Sequence, residues 1–266
     1  VAIGLDTVSC NNDVVSELIL SILGTAAPFP VPGNPCSGYL VRYLDDTLWI
    51  DAGTGTLMEL QRHVSLSDLS ALWVSHVHAD HFADLPALYY AYKFGNVSRA
   101  TKLPVIGPRG WAQRISGFVT TNATHDMGSV FQVLEHDVDT RNNVGALSLR
   151  GQLVSHSAPS YALRLSAAGR SFVYSADTSL CPQLTALASG VDLLLCEVGC
   201  DDPLYARRAG HCTPEDAGTV AAAAGVGQLV LTHLAPGLTG NEARRRAATV
   251  YDGPITLATT GLTINI

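Results

Sequence analysis

The sequence predicts an α/β protein built as a four-layer sandwich, two β-sheets packed face to face with helices on both outer sides. Three observations predict it. Short apolar runs alternate with helical segments, the alternation occurs in two similar halves of the chain, and residues able to hold a metal recur where the apolar runs stop. With 266 residues, 47% of them hydrophobic, the chain has ample material for a core. One domain is expected over residues 17–266, preceded by a loosely held N-terminal extension, residues 1–16.

The first half opens with three β-rich runs, Leu18–Leu23, Gly38–Tyr43 and Thr47–Ile50. The turn-rich segment Ala27-Pro28-Phe29-Pro30-Val31-Pro32-Gly33 separates the first two, because each proline withholds a backbone donor from a sheet. A helix at Leu57–Arg62, a strand at Ala71–Ser75, a helix at Leu85–Phe94 and a strand at Leu103–Gly107 follow, and then a middle section of strands. The second half repeats the alternation: strand Arg170–Ser175, a helix near Pro182–Leu187, strand Asp192–Glu197, a helix from Pro214 to Ala224 and strand Gln228–Thr232. Thr213 is placed as the N-cap of the last helix, with Pro214 at its first position.

Directly after the apolar run Leu72-Trp73-Val74 stands Ser75-His76-Val77-His78-Ala79-Asp80-His81. At a strand end the side-chain period is two, so His76 and His78 share a side; a turn must follow for Asp80 and His81 to converge nearby. Clustered imidazoles repel when protonated and are costly to bury unpaired, so a divalent metal explains the cluster better than packing does. Three more ligand-type residues follow apolar runs: His156 after Gly151–Ser155, Asp177 after Phe172–Ala176, and His233 after Leu229–Thr232. One such histidine is usually a solvated residue, but three residues together with the first cluster point to an assembled site. Seven ligand-type residues exceed the four that close a structural zinc site, which implies two ions with open positions.

In this order the residues resemble the metallo-β-lactamase superfamily, and within it the branch of ribonuclease Z and the atypical class II cyclic-nucleotide phosphodiesterases. The resemblance runs from about Leu18 to the C-terminus. It rests on Ile50-Asp51-Ala52-Gly53, the histidine cluster, Val154-Ser155-His156-Ser157, Tyr174-Ser175-Ala176-Asp177-Thr178, Leu195-Cys196-Glu197, Gly210-His211-Cys212-Thr213 and Leu231-Thr232-His233. It implies the αββα metallo-β-lactamase fold. It also implies that His76, His78 and His156 hold one metal, that Asp80, His81 and His233 hold the other, and that Asp177 bridges them. Asp51 is implied as the residue that holds a ligand histidine by a hydrogen bond; the alternative is a turn aspartate beside Gly53 and Gly55. Ala176 departs from the family's usual glycine before the bridging aspartate, a change expected to narrow the approach while leaving the ligands intact.

His211 precedes the helix capped by Thr213 and by itself reads as a surface loop histidine. The resemblance implies instead that it protonates a leaving alkoxide, with Glu197 as the carboxylate that raises its pKa and keeps a proton available near neutral pH. Asp80 is counted with His211 and Glu197 as catalytic as well as being a ligand. His63, His125 and His136 lack such contexts and are expected to be solvated. The glycine-rich Asp51–Thr56 stretch lacks the lysine of a P-loop, so a backbone turn is expected rather than a phosphate cradle. Tyr89, Tyr90 and Tyr92 suggest an aromatic stripe on one helical face, read as core before base-stacking platform.

The expected activity is that of a dinuclear metal-dependent hydrolase, foremost a phosphodiesterase acting on a small or cyclic phosphodiester. Its expected cofactors are two divalent metal ions, zinc first on ligand type, with manganese or iron also compatible. Such a pair makes water nucleophilic near neutral pH and keeps a small positive excess after Asp80, Asp177 and the activated water are counted, which favours an anionic small-molecule substrate. The alternative on the same ligands is hydrolysis of a thioester, a lactone or an aryl (sulfate) ester. Transfer-RNA 3′ processing is expected less, since ribonuclease Z members usually insert a long RNA-gripping arm between the third histidine and the bridging aspartate. Only 20 residues separate His156 from Asp177 here. β-Lactam cleavage and redox di-iron chemistry are disfavoured, because Asp80-His81 with Asp177 departs from the lactamase ligand set and His78 stands where the redox branch has a carboxylate.

A net charge of −7 and 16 Lys+Arg residues without a dense basic run argue against a long nucleic acid as partner. Cys10, Cys36, Cys181, Cys196, Cys200 and Cys212 lack paired C-x-x-C spacing, so buried thiols in a reducing compartment are expected. With no run of about eighteen apolar residues and no signal-peptide pattern from Val1 to Ser16, a cytoplasmic location without a membrane partner is expected. The glycosylation-type triplets at Asn96 and Asn122 are read as chance. A homodimer is the default expectation for a soluble enzyme.

Overall fold

A computed structural model of the chain describes residues 17–119, 127–137 and 139–266. The expected extension over residues 1–16, Cys10 and His125 lie outside the described residues. The elements run β1 (Ile19–Gly24), β2 (Gly38–Tyr43), β3 (Asp46–Ile50), α1 (Thr56–Leu60), β4 (Ala71–Trp73), α2 (Ala79–Phe82), α3 (Leu85–Phe94), β5 (Leu103–Gly107), α4 (Trp111–Val119) and β6 (Phe131–Glu135). The second half runs β7 (Asp139–Val144), β8 (Leu147–Val154), β9 (Ser160–Ala167), β10 (Arg170–Tyr174), α5 (Pro182–Leu187), β11 (Leu193–Val198), α6 (Pro203–Ala209), α7 (Pro214–Ala224), β12 (Gln228–Leu234), α8 (Gly240–Ala247), β13 (Ile255–Leu257) and β14 (Thr263–Asn265).

Among the described residues the strands form two sheets, ordered β14-β1-β2-β3-β4-β5-β6 and β13-β12-β11-β10-β9-β8-β7. Strands β3 to β6 are parallel, as are β10 to β13, and parallel neighbours need crossover connections, which the helices supply. The strands of each parallel set therefore finish on one rim. Between the sheets lies a core that includes Ile22, Tyr39, Trp73, Leu163, Phe172 and Leu195. On the outside of the first sheet Leu60, Leu88 and Ile115 pack against Trp49 and Val105. On the outside of the second, Leu184, Val220 and Ala243 pack against Val173, Leu194 and Leu229. Three apolar layers inside four layers of structure make the αββα sandwich that the alternation predicts.

Coverage on both faces explains why the inner strands read as unbroken apolar runs. In β11 every position is buried, Glu197 included, so a carboxylate stands in a strand otherwise made of Leu, Cys and Val. Helices α3, α5 and α7 coincide with the sequence reading. Thr213 caps α7 through a reciprocal capping box with Asp216, and Gly225 closes it in a left-handed conformation. Strand β12 is longer than expected: the sequence places His233 beyond the strand, but pairing with β11 continues to Leu234. Glu197 opposes Thr232 and Val198 opposes Leu234, so His233 is the extra residue of a bulge, with φ +49°.

His136 corrects an expectation. It is buried, not solvated, with its Nε2 2.8 Å from the Val74 carbonyl and its ring 4.2 Å from Trp73 and 4.5 Å from Tyr161. Burial lowers its pKa to about 4. His63 is half-buried. Two tyrosines of α3 share a core face: Tyr89 is buried and Tyr92 is part-buried, both against Phe131, whereas Tyr90 is exposed; Tyr90 donates to the Val119 carbonyl and Tyr92 to the Leu66 carbonyl. Cys36, Cys181, Cys196, Cys200 and Cys212 are free and buried. Among the described residues no helix is long and apolar enough to cross a membrane.

Candidate metal centre

The rim where β4, β10, β11 and β12 finish gathers all seven predicted ligands. After β4 the chain stays extended through His78 and then turns into α2, which brings Asp80 and His81 back towards His76. His76 Nε2 and His156 Nε2 each lie 3.1 Å from His78 Nδ1, and Asp177 Oδ2 lies 3.6 Å from His76 Nε2. In a second group, His233 Nε2 lies 3.3 Å from both His81 Nε2 and Asp80 Oδ2. Asp177 reaches this group too, with Oδ1 3.3 Å from His81 Nε2 and Oδ2 3.5 Å from His233 Nε2. The ligand atoms within each group all lie within 4.8 Å of one another.

Hydrogen bonds on the far side of the rings decide which nitrogen faces inward. His81 Nδ1–H donates to Asp51 Oδ2 at 2.7 Å, and His156 Nδ1–H donates to the Gly210 carbonyl at 2.7 Å. Ser75 Oγ–H donates to Asp51 Oδ2 at 2.7 Å, so at 3.0 Å it accepts from His76 Nδ1–H. The Nε2 lone pairs of His76 and His156 are thereby turned on His78 and Asp177, and His81 Nε2 is aimed at Asp177 and His233. Lone pairs at such distances repel without a cation between them, and the buried Asp177 Oδ1 has no hydrogen-bond partner. This donor set fits divalent metal ions of the zinc type: three imidazoles and a carboxylate on one side, two imidazoles and two carboxylates on the other.

Charge follows the same division. Burial first, then the neighbouring imidazoles, hold His76 well below the ordinary histidine range and His78 below it, so both stand neutral. Against burial, Asp177 and Asp51 draw His81 well above that range. Asp51 is buried and takes four donors: the Ser75 amide and hydroxyl, His81 and the Tyr174 hydroxyl at 2.8 Å. It therefore orients one ligand of each group, His81 directly and His76 through Ser75, besides lying at φ +56° in its turn. Ser75 and Tyr174 were not singled out in the sequence; a hydroxyl closing an apolar run is a weak signal until its partner is known.

The space at Gly53 is filled by the protein's own backbone and does not open as a phosphate cradle. A Cβ there would come within 2.2 Å of the Asp80 carbonyl, and the Asp84 carboxylate already accepts from the Leu57 amide in the first turn of α1. The cost of Ala176 also differs from the expectation. Its φ of +53° is one that glycine adopts freely, so the substitution strains the backbone before Asp177, while Asp177 keeps its place between the groups.

His211 does not stand free on a surface loop. Its Nδ1 lies 3.0 Å from Glu197 Oε1 and 3.9 Å from Asp177 Oδ2, and its ring stacks on His233 at 5.6 Å. Its side chain keeps 21% of its exposure, which leaves one side open to a substrate. Burial opposes charge on the ring, but the Glu197 hydrogen bond and the charges of Glu197 and Asp177 outweigh it and push the pKa up to about 9. Glu197 is held in turn by the Thr178, Gly199 and Cys212 amides. Gly199 was missed by sequence reasoning, although glycine at a strand end often marks a close approach; a Cβ there would meet His211 Nδ1 at 2.7 Å.

Residues 47–234 match the family described as beta-lactamase superfamily domain. The chain is 34% identical over 246 residues to the Mycobacterium tuberculosis protein Rv1339, covering 91% of this chain and 89% of the relative. It is 31% identical over 256 residues to a ribonuclease Z of Mycolicibacterium paratuberculosis, covering 86% of this chain and 90% of the relative. The crystal structure of the metallo-β-lactamase fold protein YhfI from Bacillus subtilis superposes with a TM-score of 0.83 at 26% identity, covering 94% of this chain and 100% of that one. The chain therefore belongs to the beta-lactamase superfamily, has the metallo-β-lactamase fold and is a metal-dependent hydrolase.

Proposed function

We propose that the chain is a dinuclear phosphodiesterase acting on a small or cyclic phosphodiester, with zinc the ion its ligands suit first. The observation that carries this reading is the His211–Glu197 pair set 3.9 Å from Asp177 Oδ2, at the open side of both ligand groups. Two divalent ions held by His76, His78, His156 and Asp177 and by Asp80, His81, His233 and Asp177 would supply a water nucleophilic near neutral pH and would neutralise phosphate charge. Asp177 serves both ligand groups, and Asp51 with Ser75 holds His81 and His76 in the tautomer that presents Nε2. Asp80 doubles as ligand and as an acceptor for the proton of the attacking water. His211 hands its proton to the departing oxygen, and Glu197 keeps the ring charged and aimed. Relatives named ribonuclease Z support phosphodiester chemistry. The charge of −7 and the 20 residues between His156 and Asp177 favour a small substrate over a long nucleic acid, and the five free buried thiols accord with the cytoplasm.

The test is an assay of metal-reconstituted protein, in parallel, on bis(4-nitrophenyl) phosphate, cyclic nucleotides, thioesters and lactones. Turnover of the phosphodiesters is expected. Activity confined to carbon esters would overturn the substrate class, and efficient 3′ cleavage of precursor transfer RNA would overturn the small-substrate assignment.

A further inference from the structure

Beside the metal centre lies a cavity of about 610 Å³ for which the chemistry above has no use. Three connections wall it: the loop after β1 from Thr25 to Asn34, the segment Leu234–Leu238, and Leu257–Thr260 at the end of β13. The second wall begins at the residue after His233. The first is tied to the site through Cys36 and Ser37, which bond the backbone of Thr54 and Gly53, and Gly53 abuts the Asp80 carbonyl. Strand β13, whose end forms the third wall, pairs directly with the His233-bearing β12, roughly 5 Å away at the usual strand spacing, which is within the reach of a substituent on a phosphate held by the ligand groups.

The lining has a definite chemical character. None of its residues is acidic, basic or histidine. Phe29 and Val31 stand 60% and 45% exposed at its edge, an apolar surface that a flat ring would cover. Asn34 Oδ1 accepts from the Thr25 amide and hydroxyl and from the Thr260 hydroxyl, which fastens the first wall to the third. Pro28, Pro30 and Pro32 stiffen the loop that carries Phe29, so the cavity is formed before anything enters. Its volume is in the range of small-molecule sites, and an unpaired charge would be costly to bury there.

We propose that this cavity seats an uncharged, ring-bearing substituent of the phosphodiester while the phosphate lies at the metal ligands. The preferred substrates are then phosphodiesters with a bulky neutral ring on one side, not those with small or charged substituents. The assignment rests on the phosphodiesterase reading. Its test compares bis(4-nitrophenyl) phosphate with methyl 4-nitrophenyl phosphate, which share a leaving group, on wild type, Thr259→Trp to fill the cavity and Phe29→Ala to remove a wall. In kcat/KM the preference for the bis-aryl substrate is expected to fall about tenfold in both variants at unaltered metal content. An unchanged preference overturns the proposal. Equilibrium dialysis of 4-nitroanisole, a neutral aryl ether with nothing to hydrolyse, reads the cavity apart from the chemistry. Saturable binding to wild type that Thr259→Trp abolishes supports the site even if no phosphodiester is turned over, and lack of binding to wild type overturns it.

Discussion

Glu197 holds His211 at 3.0 Å and raises its pKa, and the proton-donor role proposed for the pair gives a signature in pH. His211→Ala is expected to keep its metal and to lose about 10²- to 10⁴-fold activity on diesters with poor leaving groups, with much smaller losses on activated aryl esters. In wild type kcat/KM on poor leaving groups should fall as pH rises and His211 loses its proton, at or below about 9 because bound cations work against the carboxylates. Glu197→Gln should move that limb to lower pH. Ser75 and Tyr174 act one step further out. Ser75→Ala and Tyr174→Phe loosen the grip on Asp51, and chelator competition should show about 10- to 100-fold weaker metal binding, a readout independent of turnover. His136 supplies a purely structural prediction. Its folded pKa of about 4 lies below the unfolded value, so the unfolded state binds the proton first as pH falls. Stability unaffected at neutral pH should drop by about 3 kcal/mol between roughly pH 6.5 and 4, and in metal-free protein His136→Phe should flatten that dependence in denaturant titrations.

At the scale of elements, the site is placed by irregularities in otherwise regular strands. The bulge that inserts His233 into β12 is what aims its ring at Asp80 and His81. The left-handed backbone at Asp51, Ala176 and His233 concentrates strain beside the ligands, where surrounding packing holds it in place. Helix α7 anchors the loop that carries His211. Thr213→Ala removes the cap and is expected to cost about 1 kcal/mol, read as a lower Tm with the metal content maintained. The capping signal was legible because it is local: Thr, Pro and an acidic residue act within one turn. The bulge was not legible, since a strand ending before His233 and one that bulges at it have the same apolar run.

At the scale of the molecule, the two sheets meet across the ligands. His76, His78, Asp80 and His81 follow strand β4 of the first sheet, whereas His156, Asp177 and His233 come from the second. A bound metal therefore ties the halves together, and its removal acts on the whole fold. Dialysis against a chelator should lower stability by about 3 to 4 kcal/mol relative to protein at 100 to 1,000 times the dissociation constant, with the loss restored by zinc in calorimetry. Unchanged stability after verified metal removal would mean that the sheets are held by their shared core alone.

The sequence by itself determined the alternation of strands and helices, the sandwich, and the seven residues that meet, because apolar period and ligand chemistry are written in local order. Tertiary structure decided which ring nitrogens face inward, that Ser75 and Tyr174 share Asp51 with His81, that His136 belongs to the core, and that a neutral cavity opens beside His233. Each of these depends on a partner from a distant segment, and hydrogen bonding and burial are properties of the pair, so neither residue announces them alone.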